Sequence, residues 1–331
     1  MFFALTEDQQ EFGAAVRDYL AERFDLAAVR GVVEDVVNDP GDHGNPAKLW
    51  KAAGEQGWLA VTVPEEFDGL GLGLVEAQVI ARALGAGVAP GPWRGTVLAA
   101  EAIRLAGSDE QKAAWLPRLA AAEAVGALAS SDALVAVEYG AIADVVVTPG
   151  GRLVTGASST PRGSYDGTVR LADLTGGTVE ELAGPDLGLD RAAVLAAADL
   201  VGVAREALTR TVAYDRDRHQ FGVPGGSFQA SKHALADLHV AVTLAEHAVL
   251  YAAHAVEVGA EDAALAVAVA KAKAGDAAVA STAAMIQYHG GIGYTWEHEA
   301  HLFYKRAKRL AGQWGDAATH RARISELTIA E

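Results

Sequence analysis

The sequence predicts a mainly α-helical protein with a small β domain between two helical parts. Three observations carry this. Apolar residues make up 51% of the 331-residue chain, and alanine, the best helix former, dominates them. Short β-branched runs broken by glycine and proline are confined to the middle. The last part of the chain reads as long Ala-rich segments joined by short Gly-containing turns, the pattern of an antiparallel four-helix bundle. The length suffices for two or three packed units, and the expected boundaries are 1–122, 123–187 and 188–331.

The elements follow in order. Thr6-Glu7-Asp8-Gln9 fits a capping box, with Thr6 at the N-cap and Gln9 at N3. Phe12, Val16, Tyr19 and Leu20 then recur at helical spacing. Further helices are expected over 46–56, 74–84, 96–105 and 110–120, with a turn-rich loop over 64–73. Strands are expected at Val145-Val146-Val147, Arg152-Leu153-Val154, from Thr168 to Leu171 and from Thr178 to Leu182. Three long helices are expected over 191–214, 228–258 and 261–288.

Composition excludes several functions. There is no cysteine, so a disulfide framework and thiolate metal sites are ruled out, and a reducing cytoplasm fits. A net charge of −16 argues against non-specific nucleic-acid or anionic-membrane binding. The start of the chain lacks the basic and apolar regions of a signal peptide. The most apolar window, Ala263 to Ala270, is far shorter than the ~20 residues a membrane span needs.

Two stretches invite chemistry. The first is Arg218-His219-Gln220-Phe221-Gly222, followed by Val223-Pro224-Gly225-Gly226-Ser227-Phe228-Gln229. A guanidinium after a long helix can clamp a pyrophosphate, and equally can be a solvated cation favoured by the helix dipole. The second is Gln287-Tyr288-His289-Gly290-Gly291-Ile292-Gly293-Tyr294-Thr295-Trp296-Glu297. Its glycine spacing and helical approach do not match a dinucleotide fingerprint, no G-x-S-x-G elbow accompanies it, and it serves at least as a helix C-cap. His298-Glu299-Ala300-His301 is not H-E-x-x-H, so no metal site is expected there and packing at a helix start is. Trp296 and Tyr294 read as interface or core aromatics, and Lys305, Arg306, Lys308 and Arg309 as a solvated helix face.

Taken in order, the pattern Arg218, Phe221-Gly222, Pro224, Phe228-Gln229, Lys232-His233 and Ala236-Asp237, followed by the Gly-rich loop, resembles the acyl-CoA dehydrogenase family. The resemblance extends to the order of helical domain, β domain and four-helix bundle. It implies FAD, an acyl-CoA thioester oxidised at its α,β bond, and electron-transfer flavoprotein as a partner. It also implies that Arg218, Gln220, Phe221, Gln287, Gly290, Gly291 and Gly293 contact the adenosine side of FAD.

The sequence departs from that family where the flavin ring and the base belong. Leu128-Ala129-Ser130-Ser131-Asp132-Ala133 stands where T-E-P-x-x-G-S-D is usual, and Arg152-Leu153-Val154-Thr155-Gly156 lacks the tryptophan of the second segment. No Y-E-G-T turn follows Arg309, and Ala192 falls where another branch carries its base, with Asp190 nearby. The β domain is also short for the family. These departures resemble the smaller, degenerate subunit of heteromeric (α2β2) bacterial acyl-CoA dehydrogenases, such as those of steroid side-chain degradation. They imply no catalytic residue in this chain and an FAD shared with a partner subunit that carries the base and ring pocket; the charge, the short apolar window and the histidine spacing add the expectations of no nucleic acid, no membrane insertion and no metal. An autonomous homo-oligomeric dehydrogenase using Asp190 and a flavin-free scaffold are the alternatives.

Overall fold

A computed structural model describes residues 4–38, 44–185 and 187–329. The start of the chain, where no signal peptide is expected, and Asp186 at the end of the β domain lie outside them in part or whole. Capped by Thr6 through a reciprocal capping box with Gln9, helix α1 spans Glu7–Arg23. Then come α2 (Leu26–Asn38), α3 (Ala47–Glu55), α4 (Leu74–Ala86), α5 (Trp93–Ala106) and α6 (Asp109–Ala120). Seven short strands follow: β1 (Gly126–Leu128), β2 (Val137–Glu138), β3 (Val145–Val147), β4 (Arg152–Thr155), β5 (Ser158–Arg162), β6 (Leu171–Thr175) and β7 (Thr178–Glu181). The rest comprises α7 (Leu189–Asp217), the hairpin β8 (His219–Gln220) and β9 (Val223–Pro224), and α8 (Gln229–Val258), α9 (Ala263–His289), α10 (Ala300–Gly312) and α11 (Ala317–Ile329). The mainly helical class with a small sheet region is as the sequence predicts.

The chain forms two compact units. One comprises Ala27–Ala77 and Pro90–Ala192. Here β1, β3, β4 and β7 form one sheet, with β1 parallel to β3, and β2, β6 and β5 form another. Their facing residues, among them Ala127, Val146, Val154, Ala172 and Leu174, make a core in which each is under a tenth exposed. Glu101 is almost fully buried between Arg104 (2.8 Å) and Arg191 (3.0 Å), so its charge is balanced by two cations.

One expected strand is misplaced. Thr168 does not begin a strand; β6 starts at Leu171. The Asp166 carboxylate accepts from the Thr168 backbone N–H (3.0 Å) and hydroxyl (2.7 Å), and this turn competes with extended pairing.

The second unit comprises Met1–Leu26, Gln78–Ala89 and Ala193–Glu331. Helix α9 packs against α8, α10 and α11. Buried Lys271 of α9 donates to the carbonyls of Ala311 (3.0 Å) and Gly315 (2.8 Å), which fastens the α10–α11 turn. Arg205 of α7 grips Glu246 of α8 at 2.6 Å. Among the described residues no helix is long and apolar enough to cross a membrane.

The basic run at 305–309 is not a uniformly solvated face. Arg306 is buried, forms a bidentate pair with buried Asp199 of α7 (2.9 and 2.7 Å) and donates to the Ala89 carbonyl (2.9 Å). Lys305 lies over the Trp296 ring, 4.6 Å from its centroid.

Candidate functional site

Arg218 follows the last residue of α7, with its backbone N–H still bonded to Tyr214 (2.9 Å). Its Nη1 donates to the carbonyls of His289 (2.9 Å) and Tyr288 (3.4 Å), at the end of α9. A helix end leaves its last carbonyls unsatisfied and slightly negative, so a guanidinium is held there by hydrogen bonds and by charge. The guanidinium also lies over the Tyr214 ring at 5.7 Å. Among the described residues its Nε and Nη2 meet no acceptor. Those two groups are spare donors on a half-buried cation.

The Gly-rich loop is shaped around this arginine. Gly290 has φ +63° and ψ −137°, a region open essentially to glycine alone. A Cβ there would lie 2.6 Å from Arg218 Nη1. Gly293 is buried, and a Cβ on it would meet the Ile286 carbonyl oxygen at 2.6 Å. Gly291 differs: it is exposed, and a Cβ would find nothing within 4 Å. Gln287, on the last turn of α9, is also exposed.

After Arg218 the chain turns through the β8–β9 hairpin. Phe221 and Gly222 form its two-residue tip with φ of +53° and +83°, the positive pair that suits tight hairpins. Phenylalanine is rare in that conformation. The hairpin is seated on α7: Gly225 donates its N–H to the Arg218 carbonyl (2.8 Å), and a Cβ on Gly225 would collide with buried Asp215, 2.3 Å from Oδ1. Phe221 is left 94% exposed, its ring meeting the edge of Phe228 at a centroid distance of 6.2 Å. Gln220 is exposed and donates to the neighbouring His219 carbonyl (3.1 Å).

The structure therefore joins the two sequence stretches through Arg218 and Gly290. Gln220 and Phe221 continue from one side of that junction, and Gln287, Gly291 and Gly293 from the other. Three residues that the sequence did not assign to this junction support it. Tyr214 stacks on His289 with centroids 4.1 Å apart, and His289 lies 4.4 Å from the His298 ring. His289 Nδ1 is 2.7 Å from the Met285 carbonyl, which can only accept, so this nitrogen carries hydrogen. Burial, opposed by that bond and reinforced by His298 and Arg218, pushes the His289 pKa below the usual histidine value. The i, i+4 spacing of Tyr214 and Arg218 was the available sequence signal.

The other expected residues fall as follows. At the start of α10, the backbone N–H of Ala300 donates to His298 Nδ1 (3.1 Å), and His301 stacks on Trp296 at 4.4 Å, so this cluster packs at a helix start. Tyr294 is 89% exposed and so is not a core aromatic. Asp190 is half-buried in the first turn of α7, and Ala192 is fully buried. Asp132 accepts from the Gly150 N–H (2.8 Å) and pairs with Arg152 (3.4 Å). Its pKa lies below the usual carboxylate value through hydrogen bonds from Thr148 first and Gly150 second. It acts as a turn clamp.

An exposed aromatic tip, a cation with spare donors and a Cβ-free loop can together receive a planar ring joined to phosphates. Comparison with known proteins identifies the family. The family model for the acyl-CoA dehydrogenase N-terminal domain matches residues 6–123, and that for the C-terminal domain matches 186–328. The chain is 39% identical over 307 residues to acyl-CoA dehydrogenase IpdE2 of Mycobacterium tuberculosis, covering 91% of each. It is 36% identical over 308 residues to IpdE2 of Mycolicibacterium smegmatis, covering 92% of this chain and 93% of the relative. Among solved structures it superposes on a chain of the ChsE4-ChsE5 complex from Mycobacterium tuberculosis with a TM-score of 0.88, 26% identity and 99% coverage of both. A variant of the Tcur3481-Tcur3483 steroid ACAD gives 0.87, 25% identity and 98% coverage of both.

Proposed function

The chain belongs to the acyl-CoA dehydrogenase family, and from that premise we propose that it is a subunit of a heteromeric, FAD-dependent acyl-CoA dehydrogenase. In this reading it completes the adenosine side of a partner subunit's FAD site and carries no base of its own. The partner subunit holds the flavin ring and the base, the substrate is an acyl-CoA thioester, and electron-transfer flavoprotein takes the electrons. When bound, FAD supplies the hydride acceptor.

The observation that carries the proposal is the state of Arg218. It is fixed on α9 by Nη1 while Nε and Nη2 remain as donors, with Phe221 and Gly291 exposed on either side of it. These residues fit a pyrophosphate and an adenine: the donors meet anionic oxygens, the Phe221 ring offers an apolar face, and Gly291 lets a ring approach the backbone. Two further facts support the reading. The segment at 128–133 closes a turn through Asp132, and a buried alanine stands at 192. The solved relatives include a ChsE4-ChsE5 complex and a steroid ACAD of two named components, which favours a heteromer and a steroid-derived thioester. The division at 1–122, 123–187 and 188–331 belongs to the same proposal and is supported by the family-model limits at 123 and 186.

The test is expression of the chain alone and together with a catalytic acyl-CoA dehydrogenase subunit. A colourless chain that joins a yellow heteromer, with flavin retention lost in Arg218→Ala, is expected. A yellow homo-oligomer that oxidises an acyl-CoA unaided would overturn the proposal and direct attention to Asp190.

A further inference from the structure

The last turns of α1 and α4, with one stretch of α7, enclose a cavity of about 360 Å³, within the roughly 300–1,000 Å³ of small-molecule sites. All three stretches belong to the second compact unit. A Cβ on Gly13 would meet Val79 Cγ1 at 2.6 Å, and one on Gly87 would meet Leu20 Cδ1 at 3.0 Å. Helices α1 and α4 therefore run side by side in the same direction. Leu20, Phe24 and Leu26 line the cavity from one, Ala83 and Ala86 from the other. The short alanine side chains leave the space open, and its walls are apolar.

Two cations line this cavity. Arg210 is matched twice, by Glu206 (2.7 Å) and Glu299 (3.2 Å). Arg17 is exposed and, among the described residues, has no hydrogen bond or ion pair. Its guanidinium still lies along the protein, with Nη1 3.4 Å from where a Cβ on Gly13 would stand, beside the contact with Val79. Arg82, one turn on from Val79, is a second cation there. It is half-buried and likewise has no hydrogen bond or ion pair among the described residues. Burial holds the Arg82 pKa below the ordinary arginine value; Glu246 opposes this, and Arg17 and Arg205 reinforce it. Both oxygens of Glu246 are already taken by Arg205, at 2.9 and 2.6 Å. Three guanidiniums thus gather about one carboxylate in a chain whose net charge is −16. An anion on Arg17 relieves that repulsion, which is what a vacant binding site for a negative group requires.

We propose that this cavity binds a free carboxylic acid with a compact apolar body, its carboxylate on Arg17 and its body among Leu20, Phe24 and Ala83. The planar guanidinium donates to both carboxylate oxygens side by side, and the apolar walls take the part that water rejects. The charges on the rim set the class. Arg17 is the one unmatched cation among the described residues that line the cavity, and Asp25 and Glu206 beside it repel a second negative charge. A monoanion is favoured over a phosphate ester, and the free acid over a thioester, whose acyl end carries no charge for Arg17 to meet. The proposal is independent of the flavin reading, because it uses no residue of the Arg218–Gly290 junction.

Titration calorimetry on the full chain, with hexanoate, octanoate and decanoate as probes, tests this. Saturable binding at a single site is expected, tightening about fourfold with each added methylene. Octan-1-ol, which has the body without the charge, is expected to bind roughly tenfold more weakly than octanoate, and Arg17→Gln to weaken octanoate by about the same factor. Ala21→Trp, at an exposed position lining the cavity, should fill it and block the acid. Both substitutions fall on exposed residues, so circular dichroism should show the parent fold. Equal binding of octanol and octanoate would reduce the site to an apolar cleft and overturn the proposal. So would octanoate binding unchanged in either variant, or no saturable binding at all. Displacement of octanoate by an equal concentration of inorganic phosphate would mark a phosphate site and likewise overturn it.

Discussion

Replacing Gly290 and Gly291 by alanine, one at a time, separates what the Gly-rich loop does for the fold from what it does for a ligand. At Gly290 the backbone stands at φ +63° and ψ −137°, and holding a non-glycine residue there costs about 1–3 kcal/mol. The new Cβ would also press on Arg218 Nη1 from 2.6 Å and on Cζ from 3.2 Å. The guanidinium is the flexible end of its side chain and can swing aside, but it then leaves the His289 carbonyl. A hydrogen bond to a charged group contributes about 1.5–3 kcal/mol. The sum predicts that Gly290→Ala destabilises the chain by roughly 2.5–6 kcal/mol. Gly291 has φ −53° and ψ −43°, an ordinary helical conformation, and open space where a Cβ would go. Gly291→Ala should therefore change stability by no more than about 0.5 kcal/mol, yet lower flavin retention in the heteromer if a ring rests on that backbone. Urea unfolding followed by circular dichroism gives the first quantity, and the flavin-to-protein absorbance ratio of the purified complex gives the second. A Gly290→Ala chain as stable as the parent would refute the backbone argument. Full flavin content in Gly291→Ala would remove the loop from the ligand site.

Other perturbations test the supporting structure. Asp199→Ala leaves the buried Arg306 guanidinium without its carboxylate, and a loss of about 3–5 kcal/mol is expected. Asp199→Leu combined with Arg306→Met should recover most of it, and thermal unfolding of both variants checks the pair. For His289, burial places the folded-state pKa below the unfolded one, so the unfolded chain binds the extra proton first. Its contribution is complete above the unfolded value near 6.5 and is lost as pH falls through and below it. Urea midpoints measured from pH 7.5 to 5 should fall more steeply in the parent than in His289→Gln; equal slopes would assign the dependence to other groups.

The fold was legible wherever local signals agreed with packing. Thr6 and Gln9 form the expected capping box, and the helices expected at 74–84 and 228–258 lie within a residue or two of α4 and α8. Helix α2 has little local signal because its Val29, Val32, Val33, Val36 and Val37 are weak helix formers; burial of Val29 and Val33 holds it. Strand β5 reads Ser-Ser-Thr-Pro-Arg, every residue exposed, so it has no apolar alternation to detect. In β1, by contrast, all three residues are buried, a run too short to separate from its surroundings. The site divides similarly. Its residues came from the family resemblance, but the contact of Arg218 with the end of α9 spans 71 positions and has no local signature. Arg306 reads as solvated in the sequence because its partner, Asp199, is 107 residues away.

The grip of Arg218 on the end of α9 has an entropic consequence. An arginine ordered only on meeting its ligand gives up about 1.5–2 kcal/mol of rotamer freedom. Here the side chain is already immobilised by the Tyr288 and His289 carbonyls, so that loss occurs during folding and does not weaken a later encounter. The planar fork makes this possible, because one edge can stay on the helix while the other faces outward. A lysine at 218 would keep the charge, but its single nitrogen would have to divide its donors between carbonyl and anion at one point. Conservative replacement would thus preserve the electrostatics of the site and abolish its preorganisation.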